Sequence, residues 1–259
     1  MRGTMHSPEQ LRALVEERLE SLELWPQLHG QAESVRYSLE VGGKRIRPVI
    51  CLATAEAAGA EPEAALPAAL ALELVHTFSL VHDDLPSLDA DEERRGHPST
   101  WKQFGEAVGI LAGDALQAEA FRLAASYTTS EIARELAQAT LGMIGGQFLD
   151  ITGADDEVIL HRLKTGCLFA ASVGLALWAA EIPAEEQGPW RAFGDELGLL
   201  FQIVDDILDG DGYVLSHGAD GARQLADEAA ERVRARLAEV GADTSVLREI
   251  VDSLAVRTA

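Results

Sequence analysis

Between Thr165 and Ala180 the chain carries no charged side chain. A bilayer span needs roughly 20 apolar residues, so this run is too short to cross a membrane. It reads as a helix that is apolar on most faces, and such a helix is stable in water only when other helices surround it. The neighbouring segments have the same character. Alanine, leucine and glutamate dominate them, and alternating β-branched strands are absent. Ser7-Pro8-Glu9-Gln10 has the form of a helix cap with proline in the first turn, and Leu11, Leu14, Val15, Leu19 and Leu22 follow on one face. Further helices are expected at about 31–40, 45–58, 64–84, 105–128, 131–151, 156–180, 184–209, 219–239 and 244–256. Breaks fall at Gly42-Gly43, Gly59–Pro62, Pro86–Pro98, Gly153, Pro183 and Gly241. The expected fold class is therefore all-α, a bundle of about ten helices in one domain over residues 1–259, with no internal repeat or linker.

Composition narrows the partners. With 259 residues, 47% of them hydrophobic, the chain can bury one large core. A formal net charge of −22 excludes nucleic acid or an anionic membrane as a general partner. Any site for an anionic substrate must then be locally basic, which gives weight to the three lysines, Lys44, Lys102 and Lys164. The two cysteines, Cys51 and Cys167, have no metal or disulfide spacing, and Met1–Ser7 leads into no signal-type apolar block. A reduced, cytoplasmic protein with no integral membrane segment is expected.

Two aspartate clusters interrupt the apolar pattern: Asp83-Asp84 with Asp89, and Asp205-Asp206 with Asp209. Clustered carboxylates repel one another, and burying them costs free energy unless cations neutralise them. Oxygen donors of this kind suit Mg²⁺, a hard ion commonly shared between carboxylates and substrate phosphates. Asp205 and Asp209 share one helix face, with Asp206 beside it. In the first cluster Pro86 ends the helix, so Asp83 and Asp84 should close it and Asp89 should fold back from the loop. Arg94-Arg95-Gly96 follows at once, and arginine forks suit phosphate. Taken singly, these features have blander readings. His76 would more often be a core histidine, and Arg94-Arg95 could pair with Asp91, Glu92 and Glu93. Asp114 and Asp150 read as structural, Lys102 as surface, and the Gly105, Gly109, Gly113 spacing as close helix packing.

The motifs taken in order resemble the short-chain trans-isoprenyl diphosphate synthases, the family of farnesyl and geranylgeranyl diphosphate synthases. The matching segments are Gly42–Pro48, His76–Asp89 running into Arg94-Arg95-Gly96, Gly113-Asp114, Gly146-Gln147 before Asp150, Lys164-Thr165-Gly166 and Phe201–Asp209. The resemblance covers about residues 30–210. It implies a helical bundle around a central active-site cavity, in which an allylic diphosphate ionises and the allylic carbocation is attacked by isopentenyl diphosphate. It further implies that Asp83, Asp84, Asp89, Asp205, Asp206 and Asp209 hold three Mg²⁺ ions against the allylic diphosphate, which Arg94 and Lys164 also contact. Lys44, Arg47, His76 and Arg95 are implied to bind isopentenyl diphosphate, Gln202 to orient the allylic group, and Gln147 and Thr165 to line the cavity. Phe78, five positions before Asp83, is implied to floor the product tunnel and give a fifteen-carbon product, with geranyl or geranylgeranyl diphosphate as alternatives. A homodimer is likewise implied.

The sequence departs from that pattern after Asp209. The family usually continues with a glycine-lysine pair and a further lysine near threonine-proline, whereas here Gly210–Gly218 runs on toward Ala219 and no lysine follows Lys164. Arg223 and His217 are candidate substitutes for the missing cover. A non-catalytic, diphosphate-binding subunit is the alternative that this departure raises. A one-substrate terpene cyclase is the other, but it has no use for Lys44, Arg47 and Arg95.

Overall fold

Helices arrange themselves around the most apolar pieces of the chain in the computed structural model, which describes residues 5–153 and 157–255. The first half supplies α1 (Pro8–Glu20), α2 (Gln31–Glu40), α3 (Ile46–Ala57), α4 (Pro62–Asp83), α5 (Thr100–Phe104) and α6 (Glu106–Ala124). The second supplies α7 (Glu131–Thr152), α8 (Glu157–His161), α9 (Cys167–Ala179), α10 (Gly188–Asp209), α11 (Tyr213–Glu239) and α12 (Ser245–Ala255). Helix α4 is the axis, packed by α3, α6 and α9. By length and mean hydropathy α4 could span a bilayer, but 72% of that window is buried inside the molecule. The charge-free run becomes α9, whose Leu168, Phe169 and the stretch Ala171–Leu177 are buried between α3, α4, α7 and α10. At the other end, Ser7 caps α1 through a reciprocal box with Gln10, as its sequence predicts.

Three local departures from the sequence expectation bear on the site. The helix expected over 156–180 divides into α8, a wide π-turn at Arg162–Gly166, and α9. The π-turn lies hard against glycines of α7: a Cβ on Gly146 would sit 2.3 Å from the Lys164 nitrogen, and one on Gly142 2.6 Å from Cys167 Sγ. The Pro86–Pro98 break contains a two-residue hairpin, β1 (Glu93–Arg94) and β2 (His97–Pro98), closed by Arg95 and Gly96 at φ 54° and 79°. Positive φ at both loop positions is what a tight hairpin of right-twisted strands demands. Finally, α11 begins at Tyr213 rather than Ala219, with Gly218 (φ 73°, ψ 164°) breaking it internally. The lysine-free stretch after Asp209 is thus helical from Tyr213. Residues 156 and 256, at the edges of two expected helices, lie outside the described residues.

Gly109 and Gly113 do permit close packing, a Cβ there meeting Trp101 at 3.0 Å and His82 at 2.1 Å. Gly105 has another role: at φ 89° it separates α5 from α6, so the helix expected from 105 starts one residue later.

Candidate active site

A cavity of about 1090 Å³ opens between the C-terminal ends of α4 and α10, walled by α3, α7 and the hairpin. Its lining falls into a cationic side, an acidic side and an apolar wall.

The cationic side comes from the segment before α3 and its first turn, from α4 and from the hairpin. Lys44, Arg47, His76, Arg94 and Arg95 all line the cavity. Arg47 is buried, its guanidinium 4.5 Å from the Phe169 ring centre and 5.8 Å from that of Phe201, and its Nε has no hydrogen-bond acceptor. Burial pulls Arg47 down to about 10, a value at which it is still protonated in neutral solution. Burial first, then the neighbouring guanidinium groups of Arg47 and Arg95, hold His76 well below the usual imidazole range. His76 is therefore a neutral hydrogen-bonding group here. Among the described residues, Lys44, Arg47 and Arg95 have no carboxylate ion-pair partner, although the chain as a whole is strongly acidic. Unpaired cations facing a cavity are what an anionic ligand needs.

The acidic side is built at two helix ends. Asp83 is the last residue of α4, and the Asp89 backbone N–H donates to the Asp83 carbonyl at 2.9 Å, so the loop after Pro86 folds back as the sequence predicts. Asp205 and Asp209 sit one turn apart at the end of α10. Asp83, Asp205 and Asp209 line the cavity. Their partners in each cluster are engaged elsewhere. Asp84 is buried and accepts from Arg94 Nε at 2.9 Å on both oxygens, with a further bond from Nη2. Asp206, also buried, accepts from Gln202 Nε2 at 2.7 Å and from the Tyr213 backbone N–H at 3.0 Å. Asp206 therefore anchors the start of α11. Neither Asp84, Asp89 nor Asp206 lines the cavity, and Gln202 faces a separate 480 Å³ hollow with His161, Cys167, Asp195 and Tyr213.

Desolvation pushes the Asp83 carboxyl up to about 6, with the charges of Asp89 and Asp84 adding to it and Lys164 opposing. Asp205 is raised for the same first reason, with Asp209 next. Partly buried, mutually repelling carboxylates with hard oxygen donors fit a divalent cation, which would relieve both burial and repulsion. Among the described residues no three such groups already converge on one point. Lys164 and Thr165 reach the rim from the π-turn, and Lys164 is ion-paired with Asp150, giving that aspartate a structural partner. Arg94 pairs chiefly with Asp84 and more loosely with Asp91, which lies 3.8 Å away.

The apolar wall carries residues the sequence reading did not single out, Met143, Ile144, Phe148 and Ile151 of α7 with Leu168, together with Phe201 of the last motif. Phe78 joins them from α4, and Gln147 presents a buried Oε1 without a donor. Their signal was present in the sequence as apolar residues every three or four positions along α7, indistinguishable from ordinary core spacing. Neither His217 nor Arg223 lines this cavity.

The polyprenyl synthetase family model matches residues 30–220. A geranylgeranyl diphosphate synthase of Cyanophora paradoxa is 43% identical over 193 residues, 68% of this chain and 64% of that protein. A farnesyl diphosphate synthase of Bacillus subtilis is 40% identical over 196 residues, 70% of this chain and 66% of that protein. The match thus spans a little under two thirds of each relative's length. A solved geranyltransferase of Legionella pneumophila superposes with a TM-score of 0.88 at 30% identity, covering 96% of both chains.

Proposed function

Because the chain belongs to the polyprenyl synthetase family, we propose that it joins an allylic diphosphate to isopentenyl diphosphate head to tail, with Mg²⁺ as cofactor. The observation that carries the reading is one cavity lined both by cations that have no carboxylate ion-pair partner among the described residues and by partly buried, repelling aspartates. Lys44, Arg47 and Arg95 bind the diphosphate of isopentenyl diphosphate without metal, and neutral His76 donates or accepts a hydrogen bond beside it. Asp83, Asp205 and Asp209, with Asp84, Asp89 and Asp206 beside them in the chain, would hold the metal ions, which would supply positive charge to stabilise the departing diphosphate. Lys164 and Arg94 add positive charge to the same leaving group. Each unit charge at about 4 Å contributes on the order of 4 kcal/mol at an effective dielectric of 20, so a few such groups suffice to favour ionisation. Gln202 acts from behind, fixing Asp206. Thr165, Gln147 and the apolar wall enclose the prenyl chain and exclude water from the cation.

Phe78 supports a fifteen-carbon product, since its ring lies in the cavity lining one turn below Asp83. Phe78→Ala with product chromatography tests this, and an unchanged chain length overturns it. A homodimer is supported by the exposed apolar residues Ile110 and Leu111 of α6 and Leu141 of α7. We also infer a cytoplasmic setting from the two free cysteines. The decisive assay incubates the purified chain alone with Mg²⁺, isopentenyl diphosphate and each allylic primer in turn. Release of diphosphate with a lengthened prenyl product is expected. Binding of both substrates without release would instead favour a subunit that needs an active partner, the reading motivated by the lysine-free stretch after Lys164.

A further inference from the structure

The cationic side of the cavity rests on a residue that does not face it. Arg45, between Lys44 and Ile46, is buried and holds a left-handed backbone conformation (φ 49°, ψ 33°), which a residue with a Cβ adopts only when its surroundings compel it. The surroundings are explicit. Nη1 donates to Glu73 Oε1 on α4 at 2.6 Å, Nη2 to the Leu39 carbonyl at the end of α2 at 2.6 Å, and Nε to Glu16 Oε1 on α1 at 3.1 Å. Three helices are thereby tied to the residue that starts α3, and the Arg45 carbonyl accepts from Val49 in its first turn.

Glu73 is the second half of the device. It is buried, lies one turn before His76 on α4, and its charge acts favourably on Arg47 and Arg95 as well as on Arg45. A buried carboxylate behind several guanidinium groups offsets their mutual repulsion while the cavity is empty. The segment is fitted to Arg95 too: a Cβ on Gly43 would lie 2.7 Å from Arg95 Nη1.

We propose that Arg45 and Glu73 are a buried positioning pair that sets the spacing of Lys44, Arg47 and Arg95, and so the affinity for isopentenyl diphosphate, without either residue touching that substrate. The inference rests on the proposed reaction, because it assigns the cationic side to that diphosphate.

Charge-conserving variants separate position from charge. Arg45→Lys and Glu73→Asp retain every charge, the first losing the guanidinium fork that bonds three helices and the second losing reach, so an effect of net potential alone predicts no change in either. Positioning predicts a KM for isopentenyl diphosphate raised about tenfold in each, with the KM for the allylic diphosphate and kcat moved less than about threefold. The double variant should be no worse than the poorer single one, since the two groups form one unit. Equal rises in both KM values, or an unmoved KM for isopentenyl diphosphate in folded variants, overturn the proposal. Thermal unfolding of the same preparations establishes that they are folded. Should both unfold, Glu16→Asp on the more exposed arm decides, with a rise of two- to threefold in that KM supporting the proposal and none overturning it. An inactive wild-type chain sinks the proposed reaction itself, whereas an active wild type with indifferent variants sinks only the positioning pair.

Discussion

The two sides of the cavity reach the same place by opposite means. On the cationic side, Arg47 is stacked on two phenyl rings, Arg95 lies against a glycine, and Arg45 ties the start of α3 into α1, α2 and α4. Its groups are set before any ligand arrives. On the acidic side, Asp83 and Asp205 are held at helix ends where burial and neighbouring carboxylates disfavour their charge. In the proposed reaction, cations would complete that side, so that one substrate takes a preformed, metal-free pocket and the other a site assembled with its ions.

Three measurements would break or sharpen this contrast. The largest effect is expected from Asp83→Ala or from chelation of divalent ions. Either should reduce kcat at least about a thousandfold, because stabilisation of the leaving group is lost, while binding of isopentenyl diphosphate by calorimetry stays within about twofold. Loss of that binding with chelator would show that the cationic side is not metal-free. Next, Arg47→Ala should weaken isopentenyl diphosphate by about 10- to 100-fold, as one charge-assisted contact and its desolvated stack are removed. A primer KM that rose equally would erase the division between sides. The smallest effect is on stability. The Asp83 carboxyl is raised from 3.8 to about 6, so the folded state binds its proton more tightly and stability falls as pH rises through that window. Two pKa units would be about 3 kcal/mol, and solvent screening of this partly exposed group reduces it to on the order of 1 kcal/mol. Metal-free Asp83→Asn should therefore be more stable than wild type by about that amount near pH 7.5, with the gain gone below about pH 4. A gain that persisted at low pH would refute charge burial as its cause.

Much of this was legible in the sequence, and the reasons differ by residue. The Ser7 cap, the end of α4 at Asp83 and the return of Asp89 follow from local rules about hydroxyl capping and proline, so they could be read from neighbours in the chain. The charge-free run announced a central helix because only packing on all sides satisfies it. The π-turn at Arg162–Gly166 was invisible, since it answers to the α7 glycines, which lie some 20 residues away in the chain. The early start of α11 was hidden for a similar reason: Asp206, which reads as one more acidic ligand, supplies the acceptor that caps it. The division of labour within each aspartate pair also escaped, because adjacent carboxylates look alike until Arg94 and Gln202 are placed in space. Arg45 was hidden by its neighbours. It stands among the basic residues of the Gly42–Pro48 motif, and only its burial with Glu73 tells it apart.

Gly146 carries a consequence for anyone altering this molecule. Its missing side chain is the clearance in which the Lys164 backbone runs, and even one methyl would act as a shim driven between α7 and the π-turn. The shim would tilt the lysine off its bearing on the rim while leaving every charge in the cavity intact. A change far from the reacting atoms in chemical character would thus detune the site mechanically, one helix lifting a turn of another.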